Sequence, residues 1–149
     1  MIRKARVGDV PAIHQLINHY ARRQRMLAVS LSALYERVRD FFVAEEDGEI
    51  LACGALNITW EDLGEIRSLA VGEAARGRGF GRAIVQACLE EARQLGLHRL
   101  FVLTYETEFF GRFGFAEVNK EALPHKVWNV CINCPHFPNC DETAMTLDL

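Results

Sequence analysis

Apolar residues recur along this chain at helical or alternating spacing, and turn-forming residues divide the runs into elements. Residues 2–6 suit a short strand. Gly8-Asp9-Val10-Pro11 reads as a helix start, with Asp9 as N-cap and Pro11 in the first turn, where its missing N–H costs nothing. Ile13, Leu16, Ile17 and Tyr20 follow at helical spacing. Ser30 or Ser32 caps a second helix carrying Leu34, Tyr35, Val38 and Phe41. Phe41 to Glu45 and Glu49 to Thr59 read as strands joined by Asp47-Gly48, a pair suited to a type I′ hairpin turn because both positions need φ > 0. Glu61 to Gly64 form a turn, and Glu65 to Val71 a third long strand.

The second half changes character. A glycine-rich stretch, Arg76 to Arg82, opens a helix with Ile84, Val85, Cys88, Leu89, Ala92 and Leu95 on one face, stopped by Gly96. Leu100-Phe101-Val102-Leu103 is apolar throughout, as a strand buried on both faces would be. A short helix with Phe109 and Phe110, a strand near Gly114 to Val118, an irregular tail over 120–140 and a last strand, Ala144 to Leu149, complete the chain. The order is α+β: an antiparallel meander, then a β-α-β crossover.

Composition narrows the class. The 149 residues make one domain, 1–149, with room for a core; half are apolar and a quarter charged. No run reaches the ~18 apolar residues of a membrane span, and the N-terminus lacks a signal-peptide core. A soluble, cytoplasmic protein that engages neither membrane nor nucleic acid is expected, the net charge of −3 lacking the usual basic excess. Of the 17 basic residues 14 are arginine, the side chain suited to fixed recognition of phosphate or carboxylate, although a genomic bias gives the same excess. Five cysteines, an odd number without a secretory signal, argue against a disulfide framework.

The strongest chemical signal is the 76–82 loop between an apolar strand and an amphipathic helix. Gly77, Gly79 and Gly81 let bare N–H groups converge, the helix adds its own unpaired N–H groups, and Arg76, Arg78 and Arg82 add charge: an anion cradle. It is not a P-loop, since no Lys-Ser/Thr pair follows. The dinucleotide fingerprint also fails, because Arg82 stands where its third glycine belongs. A plain tight connection is the alternative.

Arg76-x-x-Gly79-x-Gly81, directly after Ser68-Leu69-Ala70-Val71, resembles the acetyl-CoA motif of the GNAT superfamily of N-acyltransferases. Phe109-Phe110-Gly111-Arg112-Phe113-Gly114-Phe115 is similar to that superfamily's helix-to-strand signature. The resemblance implies a GNAT-like fold: a mixed, mostly antiparallel sheet splayed between strands four and five and flanked by helices. It also implies acetyl-CoA as co-substrate. The pantetheine arm would lie in the splay against the backbone of Leu69, Ala70 and Val71. The pyrophosphate would lie on residues 76–82, Phe80 included, with Phe110 nearby. A bulge in strand four would aim one N–H at the thioester carbonyl.

Amine acetylation needs a route for the amine's proton. Glu65, early on strand four, is the candidate base. Arg67 shares its face and is expected to depress its pKa, so that the proton leaves through a water; an exposed ion pair is the plainer alternative. For the acid, Phe110 stands where the superfamily often has Tyr, leaving the hydroxyls of Tyr105 and Thr107 as substitutes.

Within the superfamily the chain resembles the short form of N-acetylglutamate synthase, the amino-acid N-acetyltransferase of arginine biosynthesis. The matching stretches are Gly64 to Val71, Leu100 to Thr104, and the tail Leu123-Pro124-His125-Lys126-Val127-Trp128 running to Cys131-x-x-Cys134 and Cys140. The resemblance implies a small-molecule amine acceptor, L-glutamate first. Val29 replaces an expected carboxylate-binding arginine, leaving Arg25, Arg67, Ser68 and Lys126 as acceptor ligands. Cys131, Cys134 and Cys140 have metal-like spacing that would suit a structural zinc, with buried thiols or a disulfide as alternatives. Cys53 and Cys88 read as packing residues, and His14 and His19 as surface ones. The sequence also admits a homodimer, a silent acyl-CoA or amino-acid sensor, an acetyltransferase for another small amine or a protein N-terminus, and a metal- or redox-regulated interaction protein.

Overall fold

A computed structural model describes residues 1–23, 26, 28–123 and 142–149. Its strands are β1 (Ile2–Lys4), β2 (Phe41–Glu46), β3 (Glu49–Trp60), β4 (Leu63–Val71), β5 (Arg99–Thr104), β6 (Ala116–Val118) and β7 (Thr143–Asp148). The helices are α1 (Val10–Ala21), α2 (Leu31–Glu36), α3 (Phe80–Gln94) and α4 (Thr107–Gly111). Together the strands form a sheet ordered β1-β2-β3-β4-β5-β7-β6, in which β4 and β5 are the one parallel pair among the described residues. No helix among the described residues is long and apolar enough to cross a membrane.

Local chemistry explains most boundaries. Ser30 caps α2, its hydroxyl accepting from the Ala33 N–H at 3.1 Å. Asp47 and Gly48 take φ of 53° and 80°, the left-handed pair a type I′ turn requires. Gly96, at φ 83°, ends α3: its N–H reaches the Arg93 carbonyl and that of Leu97 the Ala92 carbonyl, closing a Schellman cap.

Four expectations shift. Asp9 stands before α1 but does not cap it with its side chain. Its carboxylate accepts from the Arg6 N–H and pairs with both terminal nitrogens of Arg3, at 2.7 and 3.0 Å, because Arg3 also grips Glu45 and offers a stronger partner than a helix N–H. α2 ends at Glu36, and Phe41 opens β2 instead of extending the helix. Leu95, expected on the buried face of α3, is the C-cap and is 58% exposed. Gly64 belongs to β4, not to the turn: a Cβ there would lie 2.9 Å from side-chain atoms of both Leu97 and Leu100, so this glycine serves packing.

Two apolar layers flank the sheet. On one face α1 and α2 bury Val10, Ile13, Ile17 and Leu34 against Phe41, Val43, Cys53, Ala55 and Ala70. On the other, α3 lays Ile84, Val85, Cys88 and Ala92 over Ala44, Ala52, Leu56, Ile66 and Leu100. Gly54, inside β3, lies beneath α3. A Cβ on it would sit 2.7 Å from Ile84 Cγ2 and 3.1 Å from Leu69 Cδ1. Overpacking of this kind costs about 1–3 kcal/mol, so Gly54→Ala is expected to lower the urea midpoint of unfolding without changing the m-value.

Candidate active site

Strands β4 and β5 pair over only three positions, Leu63 with Arg99, Gly64 with Leu100 and Glu65 with Phe101. Beyond Glu65 the structure gives β4 no β5 partner, while β5 continues along β7 to Thr104. Backbone groups facing such a gap need partners other than a neighbouring strand.

At that point β4 itself is irregular. Cys53 pairs with Ala70 but Ala55 pairs with Arg67, so Ser68 and Leu69 together oppose Gly54, which is a β-bulge. Ser68 adopts φ 56°, the left-handed region a non-glycine residue enters at a cost of about 1–2 kcal/mol. The Cys53 thiol donates to the Ser68 carbonyl, Sγ to O 3.5 Å. As a result Arg67, opposite Ala55 of the α1–α2 cluster, lies on that side with its ion-pair partner Glu65, whereas Leu69 and Val71 pack towards α3.

The glycine loop follows β4. Gly77 and Gly79 have φ of 80° and 86°, and a Cβ on either would meet no atom within 4 Å, so both open onto free space. Gly79 is the N-cap of α3 and makes no side-chain cap bond; its carbonyl takes the Ala83 N–H, leaving the N–H groups of Phe80, Gly81 and Arg82 outside the helical ladder. A Cβ on Gly81 would point between Val71 and Phe109, at 3.4 and 3.6 Å, across the mouth of the splay. Arg76, Arg78 and Arg82 are exposed around it. Arg78 donates to Glu46 at 2.6 Å with its guanidinium 4.9 Å from the Phe80 ring, and Arg76 lies 5.5 Å from the Tyr20 ring.

Glu65 and Arg67 form a partly buried pair, their side chains 14% and 23% exposed. Arg67 Nε and one terminal nitrogen both donate to a single Glu65 oxygen, at 3.0 and 2.6 Å. The sequence points to a depressed Glu65 pKa. Burial instead holds the carboxyl above the usual glutamate range, with Arg67 pulling it down only in part.

Other candidates fall in different places. Tyr105 is 40% exposed just past β5, and Thr107 opens α4. Phe110 is a core residue, edge-on to Phe109 and Phe115; it is Phe109 that borders Gly81. Val29 packs on the α1–α2 cluster. Arg25, Lys126, Cys131, Cys134 and Cys140 lie outside the described residues, and among those described no group of three or more His, Cys, Asp or Glu could hold a metal.

Sequence reading missed how α1 and the turn after it brace this region. The Tyr20 hydroxyl donates to the Val71 carbonyl at 2.5 Å, and His19 and Arg23 both bind Glu73, at 3.0 and 2.5 Å, directly ahead of the glycine loop. Gly54 was missed as well, although a glycine inside a strand is the standard sign of a bulge or close approach.

A splayed parallel pair, a bulge at the splay and an uncapped glycine-rich helix start are the features that the resemblance to the N-acyltransferases implies. The acetyltransferase (GNAT) family model matches residues 10–115; the chain belongs to this family and is an acetyltransferase. It is 48% identical to an amino-acid acetyltransferase of Mycobacterium tuberculosis over 132 residues, 87% of this chain and 75% of that one. An amino-acid acetyltransferase of Neisseria meningitidis is 35% identical over 83% of this chain, which spans only 29% of that longer protein. Among solved structures, a Mycobacterium tuberculosis protein in complex with CoA has a TM-score of 0.88 at 41% identity, covering 100% of this chain and 99% of that one. N-acetylglutamate synthase from Neisseria gonorrhoeae, complexed with coenzyme A and N-acetyl-glutamate, also has a TM-score of 0.88, at 29% identity over all of this chain and 35% of its own.

Proposed function

We propose that the protein transfers the acetyl group of acetyl-CoA to the α-amine of a free amino acid, L-glutamate first, with glutamine or aspartate as the related alternatives. The observation that carries this reading is the Glu65–Arg67 pair, set where β4 leaves β5 and directly before the bulge. Relatives that are amino-acid acetyltransferases, and the synthase holding coenzyme A and N-acetyl-glutamate, support it.

In this reading the pantetheine amides complete the unpaired edge of β4 at Leu69 to Val71. The pyrophosphate takes N–H groups at the start of α3, with Arg76, Arg78 and Arg82 adding charge. The bulge N–H polarises the thioester carbonyl as negative charge develops there. Glu65, as carboxylate, accepts the amine's proton through a water. The neutral amine nitrogen then bonds to the carbonyl carbon, the carbonyl re-forms as the C–S bond breaks, and the proton the nitrogen sheds on becoming an amide balances the one the departing thiolate takes up. Tyr105 or Thr107 supplies that proton where an acid is needed. Arg67 uses two of its five donors on Glu65, so others remain for the acceptor's α-carboxylate. Arg25, Lys126 and Ser68 complete the acceptor site. Val29 brings no charge to it, which keeps glutamine, whose side-chain amide needs no cation, alongside glutamate.

Thiol release from acetyl-CoA, measured against a panel of amino acids, polyamines and peptide N-termini, tests this assignment. Turnover is expected with L-glutamate or its near relatives. Turnover only with polyamines or peptides refutes the amino-acid reading. Tight acetyl-CoA binding without release from any amine makes the domain a sensor.

A further inference from the structure

Cys53 is fully buried among the α1–α2 cluster, and packing alone would explain a small apolar residue there. Packing does not explain its hydrogen bond. The thiol contacts the carbonyl of the one residue in β4 that holds a left-handed φ, and it stands in β3 next to Gly54, the residue facing the bulge. Of the two described non-glycine residues with positive φ, Asp47 lies in a hairpin turn that requires it. Ser68 lies within a nine-residue strand, where regular pairing would return it to extended backbone. Its conformation therefore needs a restraint. Gly54 supplies room, since any larger residue would meet Ile84 and Leu69, and Cys53 supplies the bond.

We propose that Cys53 is a positioning residue for acetyl transfer: its thiol holds the Ser68 carbonyl and so fixes the bulge that presents the Leu69 N–H to the thioester. This rests on the reading above that the bulge faces the thioester carbonyl. Burial pushes the Cys53 thiol up to about 12, so the sulfur keeps the proton it donates throughout the working range.

Two substitutions separate holding from packing. Cys53→Val fills the site and suits a strand but has no donor; Cys53→Ser keeps a donor but buries a hydroxyl less favourably than a thiol. The expected results cross. Cys53→Val keeps or raises the melting temperature yet loses about fivefold in kcat at saturating acetyl-CoA and L-glutamate, the effect of one weak S–H···O contact. Cys53→Ser melts lower but retains more turnover per folded molecule. Adding Ser68→Gly to Cys53→Val is read on the bound acetyl-CoA carbonyl alone, because Ser68 is also an acceptor ligand; part of the lost polarisation returns there, since glycine enters φ > 0 without a Cβ penalty.

Infrared difference spectra of acetyl-CoA labelled with 13C at the carbonyl provide a readout that a packing role would not move. The bound carbonyl stretch is lowered in the wild type and less so in Cys53→Val. This measurement needs no acceptor, so it stands even if glutamate is the wrong amine. A Cys53→Val enzyme with wild-type kcat and an unchanged carbonyl band overturns the proposal, as does Cys53→Ser losing more turnover per folded molecule than Cys53→Val. If Cys53→Val does not fold, Cys53→Ala takes its place with the same expected band shift. No lowering of the band in the wild type itself refutes the placement of the bulge at the thioester, and the proposal with it.

Discussion

Glu65→Gln is expected to reduce turnover by about 10²–10⁴-fold, the range for loss of a general base, while acetyl-CoA affinity changes little. The amide keeps the shape of the carboxylate and can still accept from Arg67, so the local fold survives; what disappears is the group that takes the proton. Burial raises the Glu65 carboxyl above its usual range, which brings it nearer the operating pH and makes it a better base than an exposed glutamate. The wild-type kcat/KM should accordingly rise with pH through that elevated pKa, and the variant should lack this limb. Stability moves the opposite way. Between the ordinary and the raised pKa the folded state binds more protons than the unfolded chain, so wild-type stability falls as pH rises through the window. Glu65→Gln removes that slope. Melting temperatures and steady-state rates measured across the same pH series check both signs, and a variant retaining nearly full rate at neutral pH would reduce Glu65 to an ion-pair partner.

How much of this was legible beforehand follows from range. Short-range devices could be read directly: Asp47-Gly48 requires left-handed φ, Ser30 has a helix to cap, and Gly96 terminates α3. The glycine loop could be read because three glycines among arginines before an amphipathic helix have few other uses. Pattern failed where a distant partner outcompeted the local one. Asp9 was drawn off its helix by Arg3, Gly64 was claimed by Leu97 and Leu100, and the bracing of the loop through Tyr20 and Glu73 joins segments about fifty residues apart. The sign of the Glu65 shift failed for a related reason. The sequence shows the neighbouring arginine but not the burial, and burial prevails.

Gly79→Leu is expected to weaken acetyl-CoA binding by about 10–100-fold, the loss of one charge-assisted N–H contact worth roughly 1.5–3 kcal/mol. In the protein alone a Cβ at this position meets no atom within 4 Å, so the fold supplies no steric objection; what it supplies is a φ of 86°. That conformation penalises any side chain by about 1–2 kcal/mol, which confounds stability with binding if Gly79 is examined by itself. Gly96 separates the two. It lies just past the opposite end of α3 and has φ of 83°. A Cβ added there would likewise meet nothing within 4 Å, but the position is a helix length away from the glycine loop. Gly96→Leu therefore carries a similar backbone penalty with no anion to displace. The two variants should lose comparable thermal stability, and calorimetric titration with acetyl-CoA should find only Gly79→Leu impaired. Equal affinities in both would mean that the loop's glycines serve the backbone alone and that the pyrophosphate lies elsewhere. Reduced affinity confined to Gly79→Leu would show that the cost falls on the ligand, because the backbone contribution has already been matched at Gly96.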